Sequence, residues 1–346
     1  MPLDQGTRPA VQEQIKRQSS RRAAPMKRLP ALLPVVLLVA CGGGSAHESV
    51  IVDPRPSATT LPGTSLPPDS DSIPLTNERY LDPVFEAVEV STATFADDLA
   101  DLVDGHPTSL QLDIYQPGGD TADRRPVIVW IHGGGFTGGS RSGEAEIATT
   151  YARLGYVTAS VDYRTDPDNR CGAVRDQTIG DPAVIDAETE RCKRALQAAQ
   201  DDVALAIAWL RSHATDYRID PTRIAVGGFS AGAVTAVNLA QRQNTNGPAP
   251  AESAVSVALA ASGCNFDPDS IDAIDAPISI LASGGDRAVP YTCSVDTLDR
   301  AEAVGVRVQR LLYPTEDAHA YVLYGKHQAD VDTAWRHFLI VSLDLD

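Results

Sequence analysis

The fold is decided by the stretch Ile224-Ala225-Val226-Gly227-Gly228-Phe229-Ser230-Ala231-Gly232, in which an apolar run passes through a tight turn into a helix-like segment. It fits the pattern G-x-S-x-G with Ser230 at the turn. Glycines two residues before and two after the serine relieve crowding of the backbone there. The helix N-terminus that follows favours negative charge developing nearby. The stretch predicts a serine nucleophile, although a glycine-bounded turn of any α/β sheet could look the same.

Strand-like and helix-like patterns alternate from about residue 78 to residue 346, with no internal repeat and no second linker. This alternation predicts one α/β domain with a mainly parallel central sheet and helices on both faces. The predicted strands are residues 110–115, 127–131, 157–161, 224–229, 255–260, 278–281 and 306–312, and the predicted helices are residues 144–154, 198–213, 231–241, 296–304 and 328–339.

A glycine loop follows the first central strand, in the stretch His132-Gly133-Gly134-Gly135-Phe136. A strand that ends in three glycines presents unobstructed backbone N–H groups. Such preset donors are what the negative oxygen of a tetrahedral intermediate requires. The loop therefore predicts an oxyanion hole close to the serine turn.

The same glycines also match a dinucleotide-binding pattern, Gly133-x-Gly135-x-x-Gly138, with Asp162 at the end of the next strand. In that fold the third glycine sits in the opening turn of a helix, so that a pyrophosphate meets the helix N-terminus. Here residues 139–143 intervene before a helix can begin. The spacing thus favours an oxyanion loop over a nucleotide site.

An acid and then a histidine should follow a nucleophile of this type along the chain. Asp286 comes after the strand 278–281, and His319 comes after the strand 306–312. Both lie where loops converge at the carboxyl edge of a parallel sheet. Asp317 is a rival acid, but it shares a loop with His319 and could not easily approach the far imidazole nitrogen. We therefore expect Ser230, Asp286 and His319 to meet.

With these features the chain resembles the α/β-hydrolase superfamily, and within it the carboxylesterases of the hormone-sensitive-lipase-like and bacterial feruloyl-esterase-like branches. The resemblance spans roughly residues 100–340. The chain departs from it at Phe229, where relatives often carry an acidic or polar residue, and at Ala233, where many carry a glycine. Further matching stretches are Val161-Asp162-Tyr163-Arg164, residues 202–210 and residues 219–226.

The resemblance implies that Gly134, Gly135 and Ala231 donate the oxyanion hydrogen bonds. It also implies hydrolysis of small-molecule carboxylic esters, with short to medium acyl chains, through an acyl-enzyme on Ser230. No metal and no organic cofactor is expected. A serine peptidase on the same fold and a non-catalytic binding protein remain alternatives.

Four cysteines follow the glycine loop, namely Cys171, Cys192, Cys264 and Cys293. An even set in an exported chain predicts two disulfides, for which the sequence permits three connectivities. We favour Cys171 with Cys192 and Cys264 with Cys293, because each pair then lies at the sheet edge that carries the serine. The first pair would close residues 164–197 beside the pocket, and no room for a large cap is left between Ser230 and Asp286. A metal site is disfavoured because no Cys-x-x-Cys pair occurs.

Charge is strongly negative and unevenly placed. The chain holds 29 Lys and Arg against 46 Asp and Glu, a formal net charge of −17, with 43% hydrophobic residues. Such a balance repels phosphates, so nucleic acid is not an expected partner. Residues 1–40 are basic by contrast, which indicates a removable leader.

The leader contains Met26-Lys27-Arg28 and an apolar run over residues 29–40 that is too short to span a bilayer. Its end, Leu38-Val39-Ala40-Cys41, resembles a bacterial lipoprotein signal, which implies lipid attachment to Cys41. An ordinary secretory signal is the alternative. The stretch Ser20-Arg21-Arg22 only weakly suggests twin-arginine export. Translation could start at either Met1 or Met26. Residues 41–77 are rich in Pro, Gly, Ser and Thr and predict a tether. We expect an exported lipoprotein of the cell envelope that touches the bilayer only through this anchor.

Overall fold

A computed structural model describes residues 79–241 and 254–345 of the chain. These residues all belong to one contact unit, Pro68–Asp346. The predicted leader (residues 1–40), the lipidation site Cys41 and the whole predicted tether (residues 41–77) lie outside the described residues, as do residues 242–253. In the part of the chain that is described, no helix combines the length and the apolar character needed to cross a bilayer.

Eight strands and seven α-helices make up the described fold. The strands are β1 Val88–Ala100, β2 Pro107–Pro117, β3 Arg125–Ile131, β4 Val157–Val161, β5 Ile219–Phe229, β6 Val257–Ala261, β7 Ile278–Ser283 and β8 Val308–Tyr313. The helices are α1 Ala145–Arg153, α2 Cys171–Arg175, α3 Pro182–Ser212, α4 Ala231–Ala240, α5 Tyr291–Ala303, α6 Ala320–Lys326 and α7 Gln328–Leu343, and short 3₁₀ turns occupy Arg141–Glu144 and Pro268–Ser270.

The strands form a single sheet in the order β1-β2-β4-β3-β5-β6-β7-β8. Strands β3 to β8 run parallel to one another, whereas β1 and β2 pair antiparallel at one edge, and β2 is antiparallel to β4. The chain order reverses around β3, which lies between β4 and β5. The loops after β3 and β5 therefore leave the sheet side by side, and this neighbourhood brings the glycine loop to the serine turn.

The sheet is covered on both faces, as the alternation of β3 side chains illustrates. All seven residues of β3 are buried. Val127, Val129 and Ile131 join one apolar cluster with side chains of α3, α4 and α5, whereas Ile128 and Trp130 join the other with α1, α6 and α7. A strand that is buried on both faces is an uninterrupted apolar run, which is why sequence patterning identified it. The expectation of a mainly parallel sheet between two helical layers is confirmed.

Three elements were not anticipated, and one helix is much longer than predicted. The edge strand β1 is mostly exposed and has no fully buried residue, and α2 and α6 are short. Helix α3 begins at Pro182 rather than near residue 198, because the Asp181 carboxylate caps it by accepting the Ala183 N–H at 2.9 Å. Its first half is polar, so apolar periodicity detects only the second half.

Both predicted disulfides are present. Cys171 pairs with Cys192 and Cys264 with Cys293, with Cα–Cα distances of 5.6 Å and 5.7 Å. The first bridge ties α2 to α3, and the second ties the loop after β6 to the first turn of α5. Both bridges lie at the carboxyl edge of the sheet, which is the position on which the predicted pairing was based.

Candidate active site

Ser230 occupies the turn between β5 and α4 with φ 54° and ψ −119°, a backbone conformation that side-chain-bearing residues seldom adopt. The turn is possible only because its neighbours are glycines. A Cβ on Gly232 would lie 2.0 Å from the Ile131 carbonyl oxygen, and one on Gly228 would lie 2.5 Å from the Gly232 carbonyl carbon. The G-x-S-x-G pattern is thus a steric requirement of this turn.

The three residues expected to meet are in hydrogen-bond contact. His319 Nε2 lies 2.8 Å from Ser230 Oγ, and His319 Nδ1 lies 2.8 Å and 3.0 Å from the two carboxylate oxygens of Asp286. The imidazole is one-third exposed, whereas the Asp286 side chain is 2% exposed. The serine is therefore linked through one imidazole to a buried carboxylate, which is the arrangement for nucleophile activation.

Asp286 is kept ionised by the groups around it. Burial raises the pKa of its carboxyl, but hydrogen bonds from His319, from Ser262 and from the N–H groups of Val289 and Ala288 outweigh burial and hold the pKa below its usual value. The two backbone bonds are 3.0 Å and 2.8 Å long. Asp286 therefore presents a negative charge to the imidazole at neutral pH.

The other acids considered in the sequence have different partners. Asp317 makes no contact with His319 Nδ1, which is held by Asp286, and instead its backbone packs against Gly285. Asp162 pairs with Arg141 at 2.6 Å, and the fully buried Asp202 pairs with Arg164 at 2.7 Å. These last two carboxylates brace the loops after β3 and β4.

The glycine loop lies directly against the serine turn. A Cβ on Gly133 would be 3.4 Å from Ser230 Cβ, and Gly134 and Gly135 have φ values of 114° and 61°. The Gly133 N–H donates to the Tyr321 hydroxyl at 3.1 Å. Within the described part of the chain, the N–H groups of Gly134 and Gly135 donate to no other group. These two amides are therefore available to a ligand, as is the N–H of Ala231 at the first position of α4.

The base of the loop is held by a buried aromatic pair. The rings of His132 and Tyr163 stack with their centroids 4.1 Å apart, and the Tyr163 hydroxyl donates to the His132 carbonyl at 2.9 Å. Burial lowers the pKa of His132, so the ring is neutral at physiological pH. His132 thus helps to hold the base of the glycine loop, and its Nδ1 lies 2.7 Å from the Gly133 carbonyl oxygen.

Residues 164–197 lie beside the site, as predicted. The Asp166 N–H donates to the Phe136 carbonyl at 2.8 Å, and Arg175 Nη1 donates to the Ala288 carbonyl at 2.8 Å. The segment therefore touches both the glycine loop and the Asp286 loop. The bridge from Cys171 to Cys192 closes residues 171–192 of this segment into a covalent ring.

Three functional candidates were missed in the sequence, namely Glu144, Ser262 and Tyr321. Ser262 is buried after β6, contributes a hydrogen bond to Asp286, and accepts the Ala320 N–H at 2.9 Å. Tyr321 and Glu144 are hydrogen-bonded to one another and line a cavity of about 230 Å³ together with Phe229. Their positions on strand-end loops were the one available signal, since the contacts join residues far apart in the chain.

The described residues contain no cluster of three or more His, Cys, Asp or Glu side chains arranged to hold a metal ion. The four cysteines after the glycine loop are all in disulfides. The groups that the site presents are the serine, the imidazole, the buried carboxylate and the free amides.

A family model described as BD-FAE matches residues 112–178 and 185–262. The match includes the glycine loop and the serine turn, and it ends before the Asp286 and His319 loops. The chain is thus similar to this family over the first part of the sheet, from β2 to β6.

Among curated proteins, the chain is similar to a probable carboxylic ester hydrolase of Mycobacterium tuberculosis, with 31% identity over 123 residues that cover 35% of this chain and 23% of that protein. It is also similar to the phenmedipham hydrolase of Pseudarthrobacter oxydans, with 30% identity over 133 residues that cover 38% and 23% of the two chains. The matched region thus spans less than a quarter of the length of these two relatives.

Among solved structures, the chain is similar to a native esterase of Thermogutta terrifontis, with a TM-score of 0.52, 21% identity, and coverage of 71% of this chain and 91% of that chain. The propionate-bound form of the same esterase gives a TM-score of 0.53 with 20% identity, and coverage of 71% and 93%. At this level of identity the likeness establishes the fold.

Proposed function

Because the chain has the α/β-hydrolase fold, we propose that it is a serine carboxylesterase that hydrolyses small-molecule carboxylic esters through an acyl-enzyme. The observation that carries this proposal is the continuous contact from Ser230 Oγ through His319 to Asp286. The names of the curated relatives, which include a carboxylic ester hydrolase and a carboxylesterase, support the same reaction class.

In the proposed first step, Ser230 Oγ attacks the ester carbonyl carbon while its proton passes to His319 Nε2. The carbonyl π pair moves onto the oxygen, which becomes an oxyanion. Collapse of this intermediate breaks the bond to the alcohol oxygen, and His319 returns the proton to the departing alcohol. Asp286 holds the Nδ1–H tautomer and stabilises the imidazolium between the two transfers.

In the second step, water replaces the alcohol. His319 removes a proton from the water, the hydroxide attacks the acyl carbon, and collapse of the second tetrahedral intermediate breaks the bond to Ser230 Oγ. The serine regains its proton from His319, and the carboxylic acid leaves. The balance is ester plus water to acid plus alcohol, so neither a metal nor an organic cofactor is needed.

The oxyanion of both intermediates is proposed to bind the N–H groups of Gly134, Gly135 and Ala231. The support is that these amides lack other acceptors and that the glycine loop packs on the serine turn. Losing one such donor typically lowers turnover by about 10²- to 10³-fold. The N-terminus of α4 adds a partial positive charge on the same side.

We propose short to medium acyl chains as the substrate class. The structurally similar Thermogutta terrifontis esterase has been solved with propionate and with butyrate bound, which are short-chain acids. Two aromatic side chains, the partly buried Phe136 at the end of the glycine loop and the exposed Tyr321 after His319, offer apolar surface for an acyl or alcohol group.

The test is hydrolysis of p-nitrophenyl esters from acetate to palmitate by the wild type, by Ser230→Ala and by the control Ser212→Ala, whose serine is exposed at the end of α3. We expect the highest kcat/KM with short chains, a loss of roughly 10⁶-fold in Ser230→Ala, and no change in the control. Paraoxon should add one diethylphosphoryl group to the wild type and none to Ser230→Ala. A folded, oxidised wild type that is inactive on all the esters but cleaves peptide substrates would replace the proposal with a peptidase, and inactivity on both would favour a binding protein.

We also propose that the chain is an exported lipoprotein of the cell envelope, attached through Cys41. Support comes from the apolar run that ends at this cysteine and from two disulfides, which persist in oxidising compartments. Bacteria that express the chain should incorporate labelled palmitate into it, and Cys41→Ser should abolish the label. Equal labelling of both forms would contradict the anchor.

A further inference from the structure

One tyrosine hydroxyl joins the histidine loop to the glycine loop. Tyr321 lies two residues after His319, at the start of α6, and its hydroxyl accepts the Gly133 N–H at 3.1 Å. The same hydroxyl donates to Glu144 Oε1 at 2.5 Å. Its donor and an acceptor position are both used, so the direction of each hydrogen bond is fixed.

The ring of Tyr321 is held by the residue next to the nucleophile. Phe229 precedes Ser230 and stacks on Tyr321 with ring centroids 4.3 Å apart and planes 11° apart. A Cβ on Gly133 would lie 3.4 Å both from Ser230 Cβ and from Tyr321 Cε2. Serine turn, glycine loop and tyrosine therefore pack as one unit.

Glu144 is a buried carboxyl with a single described hydrogen bond. It ends the 3₁₀ turn that follows the glycine loop, is 1% exposed, and its Oε2 has no partner among the described atoms. Burial raises its pKa to about 7, and only the Tyr321 hydroxyl acts in the opposite direction. The titratable groups around this site are Tyr163, Tyr321, Tyr324 and Glu146, with Asp332 behind Tyr324, and none of them is a cation.

We propose that Glu144 and Tyr321 are a positioning pair that holds the glycine loop in place for the oxyanion, and that the hold tightens when Glu144 ionises. The inference rests on the proposed esterase function and assigns neither residue a contact with the reacting atoms. A hydrogen bond to an ionised acceptor is roughly twice as strong as one to a neutral acceptor. Ionised Glu144 polarises the Tyr321 hydroxyl and makes its oxygen a better acceptor for the Gly133 N–H.

The consequence for catalysis concerns the N–H groups of the two residues after Gly133. Because Gly133 is fixed through its own N–H, the N–H groups of Gly134 and Gly135 have a defined direction. Glycines at positive φ have no side chain to hold them, so an outside anchor is required. A displacement of about 1 Å at a reacting centre can lower the rate about 10²-fold.

The first experiment compares Tyr321→Phe with Tyr324→Phe in the full chain. Tyr324 lies on the same helix and also contacts Phe229, but its hydroxyl donates to Asp332 at 2.6 Å and does not reach the glycine loop. We expect Tyr321→Phe to lower kcat for a short p-nitrophenyl ester about 10- to 100-fold with KM changed less than about threefold. Tyr324→Phe should leave kcat within about twofold. Equal kcat values for the wild type and Tyr321→Phe would overturn the proposal.

The second experiment follows kcat against pH in Glu144→Gln and in the control Glu146→Gln, whose side chain is exposed. Glutamine still accepts from Tyr321 but does not ionise. His319 must be unprotonated to act as a base, so kcat should fall at low pH in all three proteins. We expect the ratio of wild-type kcat to Glu144→Gln kcat to rise with pH around a midpoint near pH 7, and the ratio of wild-type kcat to Glu146→Gln kcat to stay constant. A ratio of wild-type kcat to Glu144→Gln kcat that does not change with pH, or that falls as Glu144 ionises, would overturn the proposal.

A third readout does not need an active esterase. Amide hydrogen exchange of the peptide that contains Gly133 should be slow in the wild type and several-fold faster in Tyr321→Phe, with Tyr324→Phe as the matched control. If the wild type fails to hydrolyse any ester while this exchange difference is found, the proposed function alone fails. If ester hydrolysis is found but exchange is the same in all three proteins, the positioning pair fails.

Discussion

Two buried carboxyl groups flank the serine turn, and their surroundings shift their pKa values in opposite directions. The side chain of Asp286 is 2% exposed and the whole residue Glu144 is 1% exposed, so both carboxyl groups are shielded from solvent. Asp286 receives hydrogen bonds from His319, from Ser262 and from two backbone N–H groups, and its pKa is lowered. Glu144 receives one, and its pKa is raised to about 7. The hydrogen bonds to Asp286 outweigh its burial, whereas the single hydrogen bond to Glu144 does not, and this balance decides which carboxyl carries a charge at neutral pH.

The two groups therefore affect stability over different pH ranges. The pKa of Asp286 in the folded chain lies below its ordinary value of 3.8, so its contribution is complete above that value and is lost as the pH falls below it. The folded pKa of Glu144 lies above its ordinary value of 4.5, so folding is favoured while it is protonated, and this advantage is lost as the pH rises from 4.5 to about 7.

The largest expected effect comes from removing the charge of Asp286. Asp286→Asn removes the charge and can stabilise the wrong imidazole tautomer, so we expect kcat for a short ester to fall about 10⁴-fold. Asp317→Asn is the control, because this carboxylate does not contact His319 Nδ1, and it should change kcat less than twofold. A loss of less than tenfold in Asp286→Asn, or equal losses in the two variants, would contradict the assignment of the acid.

The raised pKa of Glu144 gives a smaller effect, on stability. Relative to wild type, Glu144→Gln should gain about 2 to 3 kcal/mol in the free energy of unfolding between pH 5 and pH 8, because only the wild type must ionise a buried carboxyl over this range. Urea unfolding with disulfides intact, at several pH values, measures the difference. Glu146→Gln should show no such trend, and a Glu144→Gln curve parallel to wild type would show that Glu144 titrates normally.

Removing one hydrogen-bond donor from Asp286 should weaken the stabilisation of its ionised carboxylate, so that its surroundings become more like those of Glu144. Ser262→Ala deletes a buried hydroxyl that serves both Asp286 and the Ala320 N–H. A hydrogen bond to a charged group contributes about 1.5 to 3 kcal/mol to stability. We expect part of this loss to affect the transition state and to lower kcat/KM roughly tenfold. Ser256→Ala, at an exposed serine, is the control. Unchanged kcat/KM in Ser262→Ala would mean that the remaining donors suffice for Asp286.

Much of the fold and the triad could be predicted because local constraints encode them. Central strands such as β3 are uninterrupted apolar runs, and the glycines around Ser230 are required by its turn. Asp286 and His319 followed from their place after strand ends, since parallel strands bring such loops to one edge. The disulfide pairing followed from the same argument, and the structure confirms it.

What could not be predicted depends on contacts with no local signature. The edge strand β1 has no fully buried residue and its apolar residues do not alternate regularly with polar ones, and the first half of α3 is polar. The bond between Glu144 and Tyr321 joins residues 177 positions apart. Nothing in either local sequence indicates that a glutamate after the glycine loop will be buried against a tyrosine after the histidine.

The two cystine bridges have a consequence for a molecule exposed to proteases. Each closes a ring of backbone, residues 171–192 and residues 264–293, and the second ring contains Asp286. A single cut inside either ring leaves both fragments covalently joined. A nicked chain therefore keeps Ser230, Asp286 and His319 in one covalently connected molecule.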